Sequence, residues 1–262
     1  MTRIRTSASF VRATRAGCAA AALLACLPAA AQSTIEPANE WRFEFTPYVW
    51  LAGLRSELRL GALPTDVFRA NSTSMLEALD FAAMGALDAR KGNAGVLLDA
   101  MYIRAGVSNP LPGAAFASYD LRIVQQTYTM AGYYRVLDAP SVSLDLLGGA
   151  RYSDVDTTFG IDAPFRATPQ LQESAGWWNG IVGVRALLPI NDRWQLMGYL
   201  DGGEGNRSRT LQAIAGLNYA YSPMVTIKFG YRYFDLSRRC DCNGLLKSVE
   251  LGGAYVGAGF KF

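Results

Sequence analysis

Ionisable side chains in this 262-residue chain fall at every second position of otherwise apolar stretches. Arg42 and Glu44 flank Phe43 in "WRFEFT", Asp88 and Arg90 flank Ala89, Asp145 stands between Leu144 and Leu146, and Lys228 and Arg232 alternate with Ile227, Phe229 and Tyr231 in "VTIKFGYRY". A period of two puts such a set on one face of a β-strand. Carboxylates and guanidinium groups gathered on an enclosed face have two kinds of chemistry open to them. They pair in a hydrogen-bonded network, or they line a narrow wet path whose uncompensated charge favours one sign of ion. General acid–base catalysis is not expected, because the chain has no His and no two acids stand out by spacing. The reading is therefore non-enzymatic, with no catalytic residues. Gly202-Gly203 and the nearby "GEG" do not lead from a strand into a helix, so no phosphate loop is expected either.

Thiol chemistry is confined to one place. Cys18 and Cys26 lie in the N-terminal leader, which leaves Cys240 and Cys242 in "CDC". A disulfide across one intervening residue closes a small strained ring, so this pair is either a labile bridge or two free thiols at a loop tip. Without His or a second Cys pair, no metal and no other cofactor is expected.

The leader sets the compartment. Arg3, Arg5, Arg12 and Arg15 precede an apolar run from Ala16 to Leu27, and Ala29-Ala30-Ala31 supplies a cleavage site, which reads as a secretory signal peptide over residues 1–31. The formal charge of +3 is mostly leader: without its four arginines, 21 cations face 22 acids, and nucleic acid is not an expected partner. Residues 32–40 form a lead-in and 41–262 a single domain, with no linker dividing it. No later stretch is apolar for long enough to form a membrane helix.

Alternating segments rich in Tyr, Phe, Trp and Val recur through that domain and predict ten strands: 41–60, 80–90, 94–105, 118–136, 141–159, 175–189, 194–203, 208–220, 224–237 and 246–262. Short turns at "KGN", "DAP", "NDR" and "SPM" alternate with longer polar connections near 61–79, 106–117, 160–174, 204–207 and 238–245. Such alternation is the asymmetry of an up-and-down antiparallel barrel that crosses a membrane, all-β, with a range of eight to twelve strands. In "STSMLEALDF" of the first long connection, residues 72–81, Ser74 and Glu77 have capping-box spacing and Leu76 and Leu79 share a face, which predicts a short helix, either a lid packed over or into the barrel mouth or ordinary loop structure.

One face of each strand is apolar, and aromatics crowd the strand ends at Trp41, Trp50, Tyr133, Tyr134, Trp177, Trp178, Trp194, Tyr219 and Tyr221. That girdle, and strands longer than those of soluble sheets, turn the apolar face toward lipid. The opposite face then predicts a lumen charge network of Arg42, Glu44, Asp88, Arg90, Asp99, Arg122, Asp145, Arg151, Arg185, Asp201, Lys228, Arg232 and Lys261, with more cations than acids. A cluster of Arg55, Arg207, Arg209, Arg238 and Arg239 is placed near the outer end, where it could hold lipopolysaccharide phosphates. The chain stops in "YVGAGFKF", with Phe260 and Phe262 on the lipid side of a last strand that must pair with the first if no edge is to remain.

Taken with "FTPYVWLAG", "LDARKGNAGVLLDAMYI", "LLGGARYSDVD", "WWNGIVGVR", "NDRWQL" and "GYRYFD", that ending resembles the small outer-membrane β-barrel proteins of Gram-negative bacteria, a widespread group to which no single activity attaches. The resemblance implies an outer-membrane barrel exported through the periplasm. It also implies that Tyr255, Gly257, Phe260 and Phe262 form a signal read by the outer-membrane assembly machinery, and that lipid and lipopolysaccharide are partners. Asn179-Gly180 and "CDC" depart from the group's pattern. The functions expected are a structural barrel or a narrow passive channel for small solutes, with a surface-interaction barrel or a hydrophobic-ligand carrier with a lateral opening as alternatives.

Overall fold

β-Branched and aromatic residues at alternate positions, with Gly, Asn, Ser or Pro at the breaks, leave this chain little choice but strands joined by hairpins. A computed structural model of the chain describes residues 40–58, 66–70, 79–110, 118–162, 171–205, 207–238 and 246–262. The expected leader, the lead-in up to residue 39, Cys240 and Cys242 lie outside them, as does most of the segment expected to be a helix. Its last residues, Leu79 to Phe81, belong to a strand.

Every element among the described residues is a strand: β1 Trp41–Leu58, β2 Asp66–Ala70, β3 Leu79–Lys91, β4 Ala94–Pro110, β5 Ser118–Ala139, β6 Val142–Asp162, β7 Leu171–Pro189, β8 Trp194–Gly205, β9 Ser208–Ala220, β10 Val225–Arg238 and β11 Leu246–Lys261. From β3 onward each strand pairs with the next, β1 pairs with β3, and β11 returns to β1. Ten antiparallel strands therefore close a barrel, with β2 as a short extra strand on the far part of β1. Closure is pinned by Phe43 and Phe262, whose backbones exchange two hydrogen bonds of 3.0 Å.

The short turns are built by local chemistry. Gly92 takes a φ of 58°, which lets two residues join β3 to β4. The Asn191 side-chain oxygen accepts hydrogen bonds from the backbone N–H of Arg193 and Trp194 at 3.0 and 2.9 Å between β7 and β8. Ser222 Oγ accepts one from Val225 at 3.1 Å between β9 and β10. The β8–β9 connection, expected to be long, is instead a tight hairpin: Gly205 pairs directly with Ser208, and Arg207 adopts a left-handed φ of 60°.

Outward residues make an apolar belt. Val49, Val96, Leu98, Met130, Leu146, Val182, Leu200, Tyr231, Val256 and Phe260 are all exposed. On β5 to β7, Tyr128, Tyr152 and Trp178 stand side by side in register at one edge of that belt. At the other edge are Trp41 stacked on Phe43, Phe43 stacked on Phe262, and Trp194 against Tyr219. From Trp178 to Leu188 a tilted strand climbs about 25 Å, the height of a barrel's lipid belt. A closed wall with this exterior has its greasy side chains in contact with lipid acyl chains.

One stretch of wall lacks its ladder. Pairing of β1 with β3 runs from Trp41↔Lys91 to Pro47↔Gly85 and stops, and β2 takes up the same edge of β1 only at Leu54↔Ala70. Among the described residues, neither Tyr48 to Gly53 on this edge of β1 nor Leu79 to Met84 on the β1 side of β3 has a registered partner.

Candidate functional site

The barrel interior gathers most of the chain's charge. Even positions of β1, β3, β9 and β10 and odd positions of β4 to β8 and β11 point inward. This set includes Arg42, Glu44, Asp88, Arg90, Asp99, Asp145, Arg151, Arg185, Asp201, Lys228, Arg232 and Lys261. Arg122 does not join them: it is exposed and shares the outer face of β5 with Val124, Tyr128 and Met130. Arg135, absent from the expected network, points inward and is 7% exposed.

Five cations and five acids then pair. Arg151 makes a two-pronged bond to Asp201, Nη1 to Oδ1 at 2.9 Å and Nη2 to Oδ2 at 2.6 Å, and also donates to the hydroxyls of Thr129 and Thr210 at 3.0 and 2.8 Å. Both side chains are fully buried. Arg135 and Arg185 share Asp145, with Arg135 Nε at 2.8 Å and Arg185 Nη2 at 2.9 Å, and Arg185 reaches on to Asp88 at 2.5 Å. Arg232 donates to Asp99 at 3.0 Å, to Gln212 at 2.8 Å and to the Tyr48 hydroxyl at 2.5 Å. Lys228 pairs with Glu44.

Tyrosines tie the pairs together. Tyr48 donates to Asp99 at 2.9 Å, Tyr133 to Asp88 at 2.6 Å and Tyr199 to Asp201 at 2.7 Å. Tyr133 can lie flat because its neighbour is Gly95, where any side chain would collide with the Tyr133 ring. A buried charge is tolerable only when paired and hydrogen-bonded, and each of these acids meets that condition.

Nearer the long connections the interior changes character. Trp50, Met101, Ile103, Val155, Trp177, Phe234, Leu236, Val249 and Leu251 form one buried apolar cluster, with Phe234 at 0% exposure. Cation–π contacts join the two zones: the Arg151 guanidinium lies 5.2 Å from the Phe234 ring centre and that of Arg232 5.1 Å from Trp50. On the β5 to β7 wall of the upper zone, Gln125 Nε2, Thr127 Oγ1 and Ser153 Oγ are buried without a hydrogen-bond partner among the described residues.

The remaining expected residues lie at the ends. Arg42 and Lys261 are exposed and Arg90 half-buried at the short-turn rim. In the last strand, Tyr255 and Gly257 face inward and Phe260 and Phe262 outward. At the opposite end, Arg209 is held by Glu204 at 2.7 Å and Arg207 is exposed, while the side chains of Arg55, Arg238 and Arg239 lie outside the described residues.

No family model matches the chain, and no curated protein resembles it. Among solved structures it is similar to the outer-membrane protease OmpT from Escherichia coli, at a TM-score of 0.52 and 10% identity over 88% of this chain and 99% of that one. It also aligns with the translocator domain of the autotransporter NalP from Neisseria meningitidis, at 0.44 and 14% over 87% and 90%. A third match is Ail, the attachment invasion locus protein of Yersinia pestis, at 0.37 and 16% over 85% and 98%. At 10% identity the likeness to OmpT is one of fold: the chain has the closed antiparallel β-barrel fold found in Gram-negative outer-membrane proteins.

Proposed function

We propose that this outer-membrane barrel is a non-conducting structural element whose bore is sealed by its own side chains and whose partners meet it at its ends and its lipid-facing wall. The observation that carries this reading is the neutral plug. Arg151 and Asp201, at 0% and 1% exposure, stand mid-bore where a passing solute would need water. An anion-selective channel would need unpaired cations along the bore, and the five inner cations each hold an acid. Planar-bilayer recordings of the refolded mature protein should be silent, and discrete conductance steps would overturn the proposal. No catalysis is assigned, since the chain has no imidazole and Asp145 and Asp201, the fully buried acids among the described residues, are both committed to cations.

The unpaired stretch between β1 and β3 favours a second reading, a carrier that admits an apolar ligand through the wall. Val49, Leu51 and Phe81 flank it on the lipid side, and Trp50, Ala52 and Met84 stand behind it at the edge of the apolar cluster. The test uses a variant with Trp50 as its only tryptophan, carrying Val49→Cys and Ala83→Cys across the gap. Brominated fatty acid should quench Trp50 when the cysteines are reduced and not when they are joined. Equal quenching in both states would dismiss the carrier.

A further inference from the structure

Among the described side chains eight cations lie on the inner face, and the three that hold no acid are gathered at one place. Arg42 on β1, Arg90 on β3 and Lys261 on β11 belong to three adjacent strands at the short-turn rim, the end that faces the periplasm in barrels of this kind. None of them makes an ion pair among the described residues. Arg42 stands directly opposite Arg90 in the ladder, an arrangement that repels in the absence of a counter-charge.

The acids nearby do not supply that counter-charge. Lys261 stands directly opposite Glu44, but Glu44 is bonded to Lys228. Asp138 accepts from Arg135 at 3.4 Å and from the Ser143 hydroxyl at 2.7 Å. Glu40, just before β1, is exposed and without an ion pair. On its other side Arg90 pairs in the ladder with Gly95, which presents no side chain. Exposed acids stand at this rim too, but among the described residues none is paired with Arg42, Arg90 or Lys261, which turn two guanidinium forks and an ammonium toward the mouth.

We propose that the periplasmic mouth is a binding site for a multivalent anion bearing phosphate or carboxylate groups, held by Arg42, Arg90 and Lys261. The forked donors of Arg42 and Arg90 suit two-pronged contacts to tetrahedral or planar oxyanions, and Lys261 adds a movable third charge. The site lies outside the sealed bore and does not depend on whether the bore conducts.

Tripolyphosphate serves as the soluble probe. The refolded mature protein in zwitterionic micelles is melted with and without it, against sodium chloride of equal ionic strength. A rise in Tm of several degrees with tripolyphosphate alone is expected. Arg42→Ala and Arg90→Ala should each abolish the rise, while Arg122→Ala, on the outer face, should keep it. Without the anion, Arg42→Ala should melt no lower than the parent, because repulsion is relieved; this separates loss of binding from loss of folding. Nanodiscs containing anionic phospholipid distinguish the sources. A rise there that makes added tripolyphosphate redundant identifies a lipid headgroup, and a rise only with tripolyphosphate identifies a soluble periplasmic anion. Equal rises in sodium chloride, or in Arg42→Ala and Arg90→Ala, would overturn the proposal.

Discussion

Toward the short turns the bore is filled by Arg135, Arg151, Arg185, Lys228 and Arg232 against five acids, with Ala131, Leu147 and Ile181 packed among them; toward the long connections it is filled by Trp50, Met101, Phe234, Leu236 and Leu251. Both fillings keep water out, yet they constrain the barrel differently. A pronged ion pair such as Arg151 with Asp201 has one geometry, so it holds β6 and β8 in a single register even though β7 lies between them. An apolar cluster accepts any packing of adequate volume. The lower zone therefore fixes how the strands align, and the upper zone supplies bulk burial. The upper zone is also where the wall loses its β1–β3 ladder.

The sharpest way to break this contrast is to leave one buried charge alone. Arg151→Ala strips Asp201 of its cation and leaves it only the Tyr199 hydroxyl, and it takes a donor from Thr129 and Thr210 and a cation from Phe234. A loss of about 3–5 kcal/mol is expected in urea unfolding from micelles or bilayers. Replacing the pair together, Arg151→Met with Asp201→Leu, should return most of that loss. If the double variant stays as unstable as the single, the pair stabilises the barrel by its own energy and not by avoiding an orphaned charge.

On the apolar side, Phe234→Ala opens a void in the cluster and should cost about 3 kcal/mol in the same assay. Conductance should stay absent, because the ion-pair zone still closes the bore below it. Discrete steps in this variant would place the seal in the upper zone and erase the distinction between the two halves.

Much of this was legible in the sequence, and the failures are local. Strand positions follow from alternation, and in β6 and the first half of β10 lipid on one side and enclosed charge on the other make the two faces unmistakable. That rule weakens above the lipid belt. Arg122 looked like a lumen residue because a charge was assumed to avoid the outer face, yet that far along β5 the outer face meets water and also carries Asp120. In "YRYFDLS" outward Tyr231 and Tyr233 are followed by inward Phe234 and Leu236, so aromatics occur on both faces and the apolar filling of the upper bore leaves no alternation to read. Arg135 escaped notice because it lies close to the β5–β6 turn, where its pairing with Asp145 depends on the far side of the hairpin. The gap between β1 and β3 has no sequence signal, since pairing is a property of two strands.

A smaller effect tests the fit between tyrosines and glycines in the lower zone. Gly95→Ala places a methyl group where the Tyr133 ring lies and should move the Tyr133 hydroxyl off Asp88. A cost of about 1–3 kcal/mol is expected. Tyr133→Phe in the same background should add little, because the hydroxyl is already displaced. Additive losses would mean that the ring stays put and the network does not rely on the glycine.

The smallest expected change lies among the orphaned hydroxyls of the upper zone. Thr127 and Ser153 stand directly opposite each other on β5 and β6, both fully buried, and neither hydroxyl has a partner among the described residues. A buried hydroxyl without a partner has given up its hydrogen bonds to water, so removing it relieves a cost instead of breaking a bond. Ser153→Ala and Thr127→Val should therefore leave urea stability within about 0.5 kcal/mol of the parent or raise it. In the ion-pair zone the outcome should reverse: Thr129→Val removes an acceptor from Arg151 and should cost about 1–3 kcal/mol. Equal losses from Ser153→Ala and Thr129→Val would mean that the upper hydroxyls are satisfied by water enclosed with them. The upper zone would then be a second polar network, and the division of the bore into a charged half and an apolar half would fail on that wall.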